Sequence, residues 1–229
     1  MTSCNSRIRP SVPLGDRTGR YLVLDAGLPN VHAGVLCGEG WLALESRRAP
    51  AVESLFECVE KCLDGSGTRL ADLAGYLYCE GPGSILGMRI ASMAIRSWRR
   101  FEPGKVTPCY SYRNLEILAA ALLEDGTKPP FALFSDARRG HWNYLEVGEQ
   151  GCCQPVRRVT ADELESSGVP LWQAEEPPAS RAAPLPARVL SYELAEAAPW
   201  FYRYPLLRES GEPEPWVIRE PEYRKWKQP

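Results

Sequence analysis

The sequence predicts an α/β protein of two lobes, and two observations carry that expectation. Three short apolar runs, Tyr21–Ala26, Ala33–Cys37 and Trp41–Glu45, follow one another across Gly27-Leu28-Pro29-Asn30 and Gly38-Glu39-Gly40, the second a tight hairpin signal. Beyond them, helical and strand periodicities alternate from Ala51 to Val147. A three-strand meander running into alternating helices and strands is the opening of an actin-like or ribonuclease-H-like lobe. A length of 229 residues leaves room for a second, reduced lobe. The lobes are expected over 20–109 and 110–229, behind a polar, Arg-rich flexible arm at 1–19.

The first helix is expected over Ala51–Leu63, with Val52, Leu55, Phe56, Val59 and Leu63 on one face and Glu53, Glu57, Glu60 and Lys61 on the other. Asp64-Gly65-Ser66-Gly67 ends it. Leu70–Leu73 adds one turn, and Tyr76–Cys79 is a short strand delivering the chain to Gly81-Pro82-Gly83-Ser84. Two glycines around a proline mark a turn, and Ser84 is placed to cap the helix that follows. In that helix, Leu86–Arg100, the residues Leu86, Ile90, Met93, Ala94 and Trp98 form one apolar stripe. Met88, Ala91 and Ile95 form a second beside it. A helix apolar over so much of its circumference needs more than one surface to bury it. The first stripe continues the inward run, so Met88 and Ile95 are expected to face outward.

Lys105–Tyr110 reads as a strand, Ser111–Leu123 as a helix with Leu115, Leu118, Ala119 and Leu122 inward, and Phe131–Ser135 and His141–Val147 as two further strands. Thr160 and Glu163 make a capping box for a short helix. Glu175–Ala187 is a Pro/Ala loop, and Ser191–Ala198 is expected to be one more helix.

Several of these segments carry a family resemblance. GPGSILGMRIASMAI is similar to GPGSFTGLRIG, the signature of the TsaB-type (YeaZ-type) subunits of the bacterial machinery that makes threonylcarbamoyladenosine in tRNA. Gly81, Pro82, Gly83, Ser84, Gly87, Arg89 and Ile90 match; Ile85, Leu86 and Met88 replace Phe, Thr and Leu. YRNLEILAAAL resembles the family's V-S-S-L-E-A-L-A segment. Asp136-Ala137-Arg138-Arg139-Gly140 matches its D-A-R-R-G, and Glu220-Pro221-Glu222-Tyr223-Arg224 is similar to its P-x-Y-x-R ending. Two features depart: Ala49-Pro50-Ala51 stands near the family's His-containing step, and His141, Trp142 and Asn143 stand where Glu, Val and Tyr are usual.

The resemblance implies a two-lobe actin-like scaffold without a catalytic site of its own. Such a subunit acts through a TsaD-like catalytic paralogue with a TsaE-like ATPase as further partner, touching tRNA indirectly and self-dimerising when alone. The interface it implies is a helix pair, here Leu55, Phe56, Val59, Met88, Ala91 and Ile95. A rival reading is an active ATP-binding small-molecule kinase or ATPase of the same fold; another is a divergent paralogue with a different role.

The residues themselves bear on these alternatives. Asp25-Ala26-Gly27 follows the first strand, where a glycine turn lets phosphates approach the backbone; equally, Asp25 closes a lobe interface and Gly27 only turns the chain. His32 and His141 are far apart and on no predicted helix, so no two-His metal pair forms, and no nucleophile–base pair can be assembled. The eight cysteines show no C-x-x-C spacing and read as reduced thiols, mostly buried. Arg96, Arg99 and Arg100, with Arg138 and Arg139, would suit tRNA phosphate or an acidic partner, though a helix C-terminus favours arginines anyway. Arg224, Lys225, Trp226 and Lys227 add a small basic–aromatic patch. A net charge of −2 gives no global pull toward nucleic acid, and neither a membrane span nor a signal peptide is apparent, so a cytoplasmic protein is expected.

Overall fold

The computed structural model describes residues 11–101, 104, 106–174 and 187–216. Cys4, most of the Pro/Ala loop, the P-x-Y-x-R ending and the basic–aromatic patch lie outside them.

The chain forms two mixed sheets. In the first, β1 (Arg20–Asp25), β2 (Asn30–Cys37) and β3 (Gly40–Arg48) make an antiparallel meander. The predicted hairpin is present, with Cys37 opposite Gly40 and Gly38 at a φ of 59°. α1 (Ala51–Ser66) then crosses to β4 (Gly75–Gly81), which runs parallel to β1, and α2 (Ile85–Arg100) crosses to β5 (Cys109–Arg113), parallel to β4. Gly67, left-handed at φ 58°, stops α1, and a single 3-10 turn covers Leu70–Asp72.

The second sheet repeats the plan. β6 (Phe131–Asp136), β7 (His141–Val147) and β8 (Arg157–Thr160) are antiparallel, and β9 (Leu171–Ala174) and β10 (Arg188–Leu190) follow in parallel. The first sheet runs β11-β5-β4-β1-β2-β3 and the second β10-β9-β6-β7-β8. Setting aside the two-residue β11 (Arg208–Glu209), both follow one strand order, first meander then parallel pair. This duplicated plan is the actin-like fold, although no sequence repeat marks it.

α3 (Asn114–Glu124) joins the sheets. Leu115, Ile117, Leu118, Ala119, Ala120 and Leu122 are all buried, in one core with Val23 and Leu77 of the first sheet and Phe131, Leu133 and Leu145 of the second. A helix buried all round sits between layers. A second core lies between α1, α2 and the outer face of the first sheet, and a third under the capped helix α4 (Ala161–Glu165), where Thr160 and Glu163 form the expected box.

Three expectations are corrected. The arm predicted over 1–19 is anchored from Val12 onward: Val12 and Leu207 exchange backbone hydrogen bonds, and Leu14 is buried beneath Phe201. A boundary at 109/110 would cut through β5, which belongs to the first sheet, and β11 returns to that sheet from the far end of the chain. The helix expected over Ser191–Ala198 is a 3-10 turn at Leu194–Ala197, followed by the short helix α5 (Trp200–Arg203).

Candidate functional site

The glycine–proline turn is a packing joint. The Ser84 N–H donates to the Gly27 carbonyl at 2.6 Å, and Ser84 Oγ accepts from the Gly87 N–H at 3.3 Å, the expected cap. The Pro82 carbonyl accepts from Asn114 Nδ2 at 2.7 Å. A Cβ on Gly83 would lie 2.0 Å from the Gly27 oxygen, and one on Gly87 2.0 Å from the Ala26 oxygen. The start of α2 is thus pressed against the turn after β1, an approach only glycine permits.

That contact engages the Asp25–Gly27 turn. The Gly27 N–H donates to Asp25 Oδ1 at 3.1 Å and its carbonyl is taken by Ser84, so both backbone groups are spent within the chain. Asp25 is fully buried, and its Oδ2 accepts from the hydroxyls of Tyr112 at 3.1 Å and Tyr192 at 2.6 Å. Burial, then the charge of Asp25, pushes both phenols well above their ordinary value, which keeps them donors. In this arrangement Asp25 takes part in a closure: Tyr192 arrives from beyond the second sheet and bonds to it. His32 sits opposite Asp25 across the β1–β2 ladder, bonded through Nδ1 to Ser46 Oγ at 2.7 Å and edge-on to Tyr192. Burial lowers its pKa.

A second fastening lies around the start of α3. Arg113 Nε donates to Glu80 at 2.9 Å, and its guanidinium lies 3.8 Å from the centre of the Trp216 ring. Arg208 grips both oxygens of Glu116, at 2.8 and 2.6 Å. The Trp216 N–H donates to the Glu80 carbonyl, strapping the chain's last described residues over the β4–α2 connection. Nothing in the sequence marks Tyr112, Tyr192 or Trp216 for these roles; they lie far from Asp25 and Glu80 in the chain.

The helix pair carries exposed apolar surface. On α2 the stripe expected to face outward is buried, while the other is exposed at Leu86 and Met93 and keeps Ala94 buried and Ile90 and Trp98 against the core. Met88 and Ile95 are 1% and 0% exposed; Ile95 and Ala91 share a core with Leu22, Tyr76 and Tyr78 of the first sheet, and Met88 lies against Gly81. Leu86 and Met93 are 63% and 64% exposed. On α1, Leu55 and Val59 point inward, while Val52 and Phe56 are exposed. The Phe56 ring meets Trp98 edge-on at 6.4 Å, linking the helices, and Trp98 stacks on Tyr76. The expectation failed because both stripes of α2 are apolar: periodicity gives the spacing of a stripe, not which one meets the sheet. Of the six residues expected at an interface, only Phe56 lies on the outer face; Arg89, exposed between Leu86 and Met93, lies there too.

The Asp136–Gly140 motif is elsewhere, at the tip of the β6–β7 hairpin. Asp136 Oδ1 accepts from the Arg138 N–H at 2.7 Å, and Arg138 and Arg139 are left-handed at φ 64° and 57°. This bond closes the tip of the hairpin, and both arginines are exposed. Among the described residues, no cluster of His, Cys, Asp and Glu has the makings of a metal site, and no helix is long and apolar enough to cross a membrane.

No protein-family model matches the chain, and no curated protein matches it. Solved structures do. One is YeaZ from Pseudomonas aeruginosa, 18% identical with a TM-score of 0.57, the alignment covering 69% of this chain and 76% of that one. Another is described as an uncharacterized protein with similarity to peptidase YEAZ from Pseudomonas aeruginosa, 19% identical with a TM-score of 0.64, covering 88% of this chain and 100% of that one. Likeness at this identity establishes the shared fold.

Proposed function

We propose that this chain is a TsaB-type scaffold subunit, without catalysis of its own, that supports threonylcarbamoyladenosine formation in tRNAs reading codons that start with A. The chemistry falls to a TsaD-like paralogue, with a TsaE-like ATPase as further partner. One observation carries the reading: an exposed apolar face, Val52, Phe56, Leu86 and Met93, runs along two adjacent helices whose position is set by the glycine–proline joint. Monomers rarely keep such a face uncovered. The likeness to YeaZ and the matching motifs give that face a family context.

Two copies of this helix pair would meet as a four-helix seam, symmetric in a homodimer and pseudo-symmetric with a paralogue of the same fold. Each side chain covered contributes roughly 1.5–3 kcal/mol before association costs. The kinase or ATPase alternative draws no support from Asp25 and Gly27, whose polar groups are used up in holding the chain together.

Reconstitution tests the proposal. The purified chain alone should transfer no threonylcarbamoyl group to tRNA, and adding TsaD-like and TsaE-like partners should produce modified adenosine that is absent when this chain is omitted. Transfer by the chain alone, or equal product with and without it, refutes the scaffold role.

A further inference from the structure

The carboxyl-terminal end of α2 carries a basic cleft. Arg96, Arg99 and Arg100 line an open cavity of about 230 Å3 together with Val106, Gly211 and Glu212. Arg99 Nη1 donates to the Gly211 carbonyl at 2.7 Å, and Arg96 lies 3.6 Å from Glu212, so the 211–212 segment holds two of the guanidiniums in place. Arg100 is exposed and pairs with no carboxylate among the described residues. Among the described residues Glu212 is the only acid lining the cleft, and its side chain is 68% exposed.

A helix dipole explains arginines in a last turn. It does not explain why three of them surround one concavity braced from a distant segment. An arginine has five N–H donors, and Arg99 spends one on Gly211, so the cleft retains many donors for an oxyanion such as a phosphate. Immediately after Arg100, Phe101 is 81% exposed, a bare aromatic face at the edge of the basic patch. Arginines around a pocket beside a free aromatic ring are the elements that grip a nucleic-acid strand by phosphate and by base stacking. An acidic protein surface would need neither the concavity nor the ring.

We propose that this cleft binds RNA, seating a backbone phosphate between Arg96, Arg99 and Arg100 with Phe101 as a stacking surface. Arg100 continues the helical stripe of Leu86 and Met93 at seven-residue spacing, so the cleft lies at the end of the exposed apolar face. If the chain is the scaffold proposed above, on which this assignment of substrate rests, the RNA is the tRNA undergoing modification.

Fluorescence anisotropy of a labelled, unmodified tRNA transcript titrated with the full chain tests this without any partner. The double variant Arg96→Glu/Arg100→Glu should bind at least tenfold more weakly at low salt. Its log–log salt dependence should flatten by about one, as expected when the single phosphate contact seated in the cleft is lost. A charge-matched control, Arg48→Glu/Arg188→Glu, should change little. Phe101→Ala should weaken binding severalfold with the salt slope unchanged. No binding by the wild-type chain, or equal losses in variant and control, overturns the proposal. So does a double variant that keeps tRNA affinity yet no longer captures the TsaD-like paralogue, since the arginines would then face acidic protein. Failure of the scaffold role would appear separately, as a reconstituted wild-type system that makes no modified adenosine.

Discussion

Asp25 gathers partners from distant parts of the chain. Its place at the end of the first strand suits both a phosphate turn and a lobe clasp, and one of its partners, Tyr192, lies 167 positions away in the chain. Tyr192→Phe removes a hydrogen bond to a buried carboxyl group and should cost about 1–3 kcal/mol in urea unfolding, with the fold retained. The same environment sets the alkaline limit of stability. Tyr112 and Tyr192 are held above 10.0, and burial pushes the Cys62 and Cys109 thiols up to about 12 from 9.0. For groups whose folded pKa is raised, the stabilisation is whole below the unfolded value and lost as pH rises through the folded one. Stability should therefore decline from about pH 9 upward and steeply beyond pH 10, read as a falling melting temperature. His32 sets the opposite limb: its lowered pKa means stability present above 6.5 and lost as pH falls below it.

At the scale of elements, much was legible and the failures have physical causes. The meander, its hairpin, α1, the capping of α2 by Ser84 and the capping box of α4 all follow from local chemistry and stand where that chemistry puts them. β5 stands later than expected, at Cys109–Arg113 instead of Lys105–Tyr110, because its register is set by pairing with β4, and Ser111 only imitates a helix start. β8, β9 and β10 are three or four residues long and owe their existence to neighbouring strands, so no periodicity announces them. Val12 and Leu14 are too few to make a pattern, yet they dock. The glycine motif was legible as a turn, but its reason, the contact with Ala26 and Gly27, is tertiary. Gly87→Ala should cost about 3 kcal/mol or more, because the clash is with backbone that cannot swing aside. A wild-type thermal midpoint for that variant would show the joint to be loose. The two stripes of α2 give a paired test: Ile95→Asp should abolish the folded circular-dichroism signal, and Met93→Asp should leave it unchanged.

For the whole molecule, a duplicated actin-like plan is fastened by Asp25, by the Glu80–Arg113–Trp216 strap and by α3, and it leaves Val52, Phe56, Leu86 and Met93 exposed on the helix pair of the first lobe. The claim that this face is a docking surface for a paralogue of the same fold is the one on which the functional reading turns. It is tested most directly by sedimentation velocity of the full chain mixed with a TsaD-like protein, comparing wild type with Met93→Asp. The wild-type chain should co-sediment as a stable complex, and Met93→Asp, folded by circular dichroism, should sediment apart from the partner. A complex that forms equally well with Met93→Asp would contradict the assignment of this face.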